Sequence, residues 1–427
     1  MNSITLTRGK SALCFILILT SIAAIYLSLL TNSETVGSYL DFQIFTEQAK
    51  SMLATGQLYE RDLSLYGPGS AVYKYPPLYG SLLALGLQQG LSVAILGHIG
   101  WLLQIICWFA AFIIIYRCSN NSSSNYSWLL LSIICTYWFA NDYFRQNAYR
   151  LQLEPYILLI LSLALHDFIK NKDFRCGFWI GLTAALKVYT LFMLPLFVLS
   201  GRWRSLAGAF LGIISTLALT LPILEWREHT FYLLNVFPVL MQEGVSGFSE
   251  NISIARMLVP YTMLRPNIRP DFPQLFTHSV AIVLLAITAI RMLITKIHMA
   301  SYTGASIDFA AIFSIMLIYM PNFWWNYQIL NLLPGTVAAC LCLPHYRRYL
   351  LPLLLLTVML IAQIAITIPE LWQPKFSDAA FDWLGDPNFI IVRGSIQIFL
   401  VIAVLLSQLI FHHRMLCNKE NLLSPPR

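Results

Sequence analysis

The sequence predicts an all-α polytopic membrane protein of about 10–12 transmembrane or re-entrant helices. Three observations predict it. Of its 427 residues, 58% are hydrophobic and only 11% are charged, against about 25% charged in an ordinary soluble domain. Apolar runs of roughly the length a bilayer requires, about 17–25 residues, recur along the chain. Aromatic residues reach 14%, which suits two interfacial belts. The net charge of +7 is spread over loops and forms no basic arm, so it gives no nucleic-acid signal.

In chain order the spans are expected at 11–30, 94–116, 126–141, 150–167, 205–224, 274–296, 305–320, 325–343, 349–369 and 391–413. The first is too long for a signal-peptide core and lacks a small-residue cleavage site, so it reads as an uncleaved span. Residues 76–92 open with "YPP" and contain "LQQG", which suits an interfacial or re-entrant helix. The stretch "SNNSSSN" at 119–125 reads as a turn.

The basic flanks orient the chain. "TRGK" at 7–10, "FIKNKDFR" at 168–175, "GRWR" at 201–204, "HYRRY" at 345–349 and "HHRMLCNK" at 412–419 fall on one side, cytoplasmic by the positive-inside rule. Both termini are then cytoplasmic. So are both ends of 176–200, which is therefore expected as a re-entrant hairpin with Lys187 and Tyr189 near its tip. Every acid except Asp167, Asp173, Asp308 and Glu420 falls on or near the exoplasmic side. The main exoplasmic segments are 31–75, 225–273 and 370–390, within one membrane domain over 1–427; the first, with the helix behind it, makes a first exoplasmic loop of 31–92. The eight cysteines lie in spans or on the cytoplasmic side, with no disulfide framework and no metal-type spacing. Cys340 and Cys342 read as packing residues.

Several residues stand out chemically. Asp41 precedes an amphipathic run in which Phe42, Phe45, Ala49 and Met52 share a face. It occupies an N-cap position, and a carboxylate there could also act as a general base toward a sugar hydroxyl. In "YKYPPLYG", Tyr75 faces the interface and Lys74 could meet a phosphate or snorkel to headgroups. "RQNAYRLQLEP" places Arg150, Gln152 and Glu154 at the mouth of a span, and Arg150 could pair with Glu154 four residues on. Lys187, inside an apolar block, needs water, an anion or a carboxylate; a lipid-linked phosphate or Glu154 would serve. Asn251, Trp324 and Asn326, with Ser253, Trp325 and Gln328, combine amides and aromatics suited to sugar rings. The tryptophans also fit a membrane belt, and Asn251 opens a formal N-I-S acceptor.

No P-loop, G-x-S-x-G, H-E-x-x-H or G-x-G-x-x-G helix entry is present, and no nucleotide-binding domain. The remaining readings are a glycosyltransferase, a transporter or lipid flippase, and a non-catalytic scaffold. A transporter should show paired broken helices in two halves, and only the block 176–200 is interrupted.

Taken in order, "LDFQIF", "GQLYE", "YKYPPLY", "LKVYTLFMLPLFVLSGRWR", "ENISIARML" and "PNFWWNYQILNLLP" resemble the C-type (GT-C) membrane glycosyltransferases, most closely glycosyltransferase family 87. The similarity spans roughly residues 11–335. Two positions depart from that pattern: Glu154 stands where an amide is usual, and Asn326 where a histidine often follows the late tryptophan. The resemblance implies an inverting transfer of a hexosyl, specifically mannosyl, residue from a polyprenyl-phosphate donor to a lipid or glycan acceptor on the exoplasmic face. Asp41 would be the base. Lys187, Tyr189 and either Lys74 or Arg150 would hold the donor phosphate. No metal and no cofactor are implied, since the lipid-linked sugar is a substrate. The partners are that donor, the acceptor and membrane lipids, and the short loops suit a bacterial cytoplasmic membrane.

Overall fold

The structure is a computed structural model that describes residues 40–67, 71–119, 147–148, 150–242, 245, 251, 253–263, 271–295, 301–320, 322, 324–345, 347–367 and 387–423. It is helical, and among the described residues the only extended pairing is an isolated antiparallel bridge between Asn251 and Trp324. Five described helices are long and apolar enough to cross a membrane. The expected spans at 11–30 and 126–141 lie outside the described residues.

The described residues open on α1 (Leu40–Thr55), whose Phe42, Phe45, Ala49 and Met52 are buried as the pattern predicts. Gly56 ends it with φ +75°, a left-handed conformation that glycine adopts at little cost. Helix α2 (Pro77–Gln88) begins at the proline pair. The buried Tyr73 hydroxyl caps it, donating to the Pro76 carbonyl at 2.8 Å and accepting from the Gly80 N–H at 2.9 Å. Leu58 packs onto Gly80 so closely that a Cβ there would meet its methyl at 2.8 Å.

Helix α3 (Val93–Ser119) is the first described span. Helix α4 (Glu154–Ile169) is shorter, with a buried face along its length. The block that follows is broken into α5 (Asp173–Ala184), a 3-10 segment (Val188–Met193) and α6 (Leu194–Leu199). At about 1.5 Å per residue, α5 reaches about 18 Å, well short of a bilayer core of about 30 Å. Its return is fixed by Arg202, which donates to the Phe168 carbonyl (2.5 Å), Asp173 (3.0 Å) and Asn171 (2.8 Å). Residue 202 therefore sits beside residue 173, and the block leaves and re-enters one end of the molecule.

Helix α7 (Trp203–Thr220) then runs parallel to α5. Gly177 faces Ser205 and Gly181 faces Ala209, while Gly208 and Gly212 face Phe174 and Phe178. Two small-residue stripes thus let the backbones touch. Beyond α7 the chain forms α8 (Trp226–Phe231), a π-helical segment (Tyr232–Val236) and α9 (Phe237–Gln242). These pack with α1 and α2 around Tyr59, Tyr66, Tyr73, Leu224 and Tyr232, making one aromatic cap at the end opposite Arg202.

Next come α10 (Ile254–Met263), α11 (Phe272–Thr295) and α12 (Tyr302–Tyr319). Helix α12 is largely apolar and almost wholly enclosed, which makes it the central post of the bundle. The segment expected as one span over 325–343 is instead a 3-10 helix (Trp325–Asn331) leading into α13 (Leu332–Cys342). Helices α14 (Leu350–Thr367) and α15 (Pro387–Leu423) complete the bundle. Asp308 of α12 is buried and accepts from Gln408 (2.5 Å) and bonds His412 (2.9 Å), tying α12 to α15.

Candidate active site

The site is assembled where the cap meets the hairpin. The N-cap expectation for Asp41 is corrected: α1 starts at Leu40, so Asp41 lies inside its first turn. Its carboxylate is turned across the chain to Gln152, whose Nε2 donates to Oδ2 at 2.5 Å. The Arg150 guanidinium lies 3.8 Å from the same oxygen. Both side chains remain reachable, with 26% of Asp41 and 34% of Arg150 exposed.

Local backbone places Gln152. Leu151 has φ +50°, and the Gln152 N–H closes onto the Asn147 carbonyl at 3.1 Å. A left-handed leucine is strained by about 1–3 kcal/mol, so the surrounding packing holds this turn. The turn separates Arg150 from α4, so the helical Arg150–Glu154 pairing is not formed; Arg150 pairs with Asp41. Gln104 of α3 donates to the Gln152 carbonyl at 2.6 Å and holds the turn from behind.

A polar chain continues inward. The Tyr75 hydroxyl donates to Gln152 Oε1 at 3.4 Å. The Lys187 ammonium lies 4.7 Å from the Tyr75 ring centroid and 4.1 Å from that of Tyr327. It also donates to the Tyr327 hydroxyl at 2.9 Å and pairs with Glu154. Lys187 is only 4% exposed and Glu154 is buried. The lysine expected to meet a lipid phosphate is therefore already neutralised by a carboxylate, the alternative its position in the sequence allowed. The Tyr189 ring lies tilted against that of Tyr327, with centroids 6.1 Å apart, and completes the group.

Other expected residues go elsewhere. Lys74 bonds to the Gly67 carbonyl. Asn251 is buried, donates to Asn322 at 2.9 Å and pairs through its backbone with Trp324. That burial leaves no room for a glycan on its N-I-S sequence. Trp324 is half-buried against the main core. The side chain of Asn326 lies outside the described residues.

Beside the group is an apolar cavity of about 280 Å³. It lies between the start of α2 (Pro77, Leu78), the hairpin tip (Val188), α7 (Leu217), α8 (Trp226) and the π-helical segment (Leu233). Trp226 and Leu233 are also exposed on the outside, so its wall is continuous with the apolar outer surface.

The family model described as glycosyltransferase family 87 matches residues 65–321, more than half of the chain. The chain belongs to glycosyltransferase family 87. It is a membrane glycosyltransferase, and the transporter and scaffold readings fall away. A comparison with curated proteins finds no match. Three contributors to the candidate site were not foreseen from sequence. Tyr327 and Gln104 gave no signal beyond their polar atoms. Glu228, which binds the turn after α1, looked like one loop acid among many.

Proposed function

We propose that this glycosyltransferase moves a mannosyl residue from a polyprenyl-phosphate donor to a lipid or glycan acceptor on the exoplasmic face of a bacterial cytoplasmic membrane, with inversion. The observation that carries the reading is the polar chain Asp41–Gln152–Tyr75–Lys187, set beside an apolar cavity in a family 87 chain.

Asp41 takes the proton of the acceptor hydroxyl as that oxygen attacks the anomeric carbon. The bond from that carbon to the phosphate oxygen breaks, and the electron pair leaves with the polyprenyl phosphate. Gln152 fixes the carboxylate's direction toward the acceptor hydroxyl. Arg150 is the more exposed cation and meets the growing phosphate charge. Lys187, balanced by Glu154, contributes from behind through the tyrosines. The cavity takes the first isoprene units, since an apolar chain gains by leaving water and loses nothing by leaving lipid.

The test uses membranes containing the full chain and polyprenyl-phosphate mannose labelled in the sugar. The wild type should pass label to an acceptor, and Asp41→Asn should lower the rate by about 10²–10⁴-fold. Equal transfer by both proteins would remove Asp41 from the role of base. No transfer by the wild type would remove the donor assignment.

A further inference from the structure

The α8 segment has two sides with different work. Trp226, His229 and Thr230 line the apolar cavity. Glu228, between them and almost wholly buried, faces the other way. Its Oε2 accepts the backbone N–H groups of Leu58 (2.9 Å) and Tyr59 (3.4 Å). Its Oε1 pairs with Arg61, whose guanidinium lies 4.1 Å over the Phe231 ring. Charge-assisted bonds to a buried carboxylate are strong and directional.

The turn that Glu228 holds is the direct continuation of α1, the helix that carries Asp41. Gln48 of α1 reaches Glu60 in that turn at 3.4 Å. The Tyr59 hydroxyl donates to the Tyr75 carbonyl at 2.9 Å, and Tyr75 in turn bonds Gln152, the partner of Asp41. Two physical routes therefore run through Glu228 from the α8 side of the cavity to the carboxylate, beside the direct packing of the cavity-lining Tyr232 on Tyr59 at 5.4 Å. The π-helical turn directly after α8 adds a backbone irregularity of a kind frequent at functional sites.

We infer that Glu228 is a positioning residue that couples the cavity wall to Asp41, so that seating the donor's lipid chain sets the carboxylate for reaction. Binding energy from a remote, unreactive part of the substrate is thereby used at the reacting centre. The inference rests on the lipid-linked donor reading above and extends it.

Hydrogen exchange of the full-length protein, followed on peptides covering 40–55 and 56–61, tests it. The probes are undecaprenyl phosphate and dimethylallyl phosphate, which share a head group and differ in chain length. In the wild type the long-chain probe slows exchange in both peptides and the short one does not. Glu228→Gln, or Arg61→Gln should that variant fold poorly, still gains thermal stability from undecaprenyl phosphate. It no longer transmits protection to 40–55. With the mannosyl donor, kcat of Glu228→Gln falls about 10- to 100-fold while KM stays within about twofold.

Undiminished protection of 40–55 in the variant would overturn the coupling, and so would absence of protection in the wild type. Equal loss of kcat with long- and short-chain donors would reduce Glu228 to a staple between two loops. Coupling without sugar transfer would sink the donor reading alone. Transfer without coupling would sink this inference alone.

Discussion

Lys187 and Glu154 carry opposite charges in a place where neither could stand alone. Both are buried, and breaking such a pair by removing one partner leaves an uncompensated charge. Glu154→Gln should destabilise the protein by about 3–5 kcal/mol. The double variant Glu154→Gln with Lys187→Met removes both charges and should recover most of that loss, as unfolding in detergent would measure. If Lys187 serves only as a structural partner, the double variant keeps its transferase rate. If it also supports the leaving phosphate, the rate falls while stability returns. Asp41, Gln152, Glu154 and Lys187 were legible in the sequence because polar groups among apolar runs must have partners. Tyr327 was not: its hydroxyl meets Lys187 only through a 3-10 turn formed far along the chain.

The hairpin and α7 show the same logic one level up. A Cβ built on Gly181 would lie 2.0 Å from the Ala209 carbonyl oxygen, and one on Gly177 would lie 1.7 Å from that of Ser205. The obstacle is backbone, so no rotamer change relieves it. Gly181→Val should destabilise the fold by at least about 3 kcal/mol, the upper end of ordinary overpacking, and lower the yield of folded protein in detergent. A substitution at Gly67, which has open space around it, provides the control. Apolar length and basic flanks made most described spans readable within a few residues. The segment 325–343 misled because length alone cannot separate a straight span from a 3-10 helix followed by a short α-helix. The contact between α5 and α7 was also hidden, since small residues at a spacing of four do not name their partner.

At the scale of the whole molecule, the two ends differ in chemistry. One end carries Arg202 with Asn171 and Asp173, and Arg175 with Asp167. The other carries the aromatic cap, Asp41, Arg150 and the cavity wall. On the proposed reading, the lysines and arginines of the first end make it cytoplasmic by the positive-inside rule, with the Asp41 carboxylate on the exoplasmic side. A hairpin with both ends at the basic side delivers Lys187 to the site without an extra crossing, and this is why a block too short to span can still build its floor. Lys172 and Glu225 are exposed at opposite ends. In spheroplasts, a membrane-impermeant maleimide should therefore label Glu225→Cys directly and Lys172→Cys only after permeabilisation. The reverse pattern would place Asp41 in the cytoplasm, and the sugar would then have to be transferred on the inner leaflet.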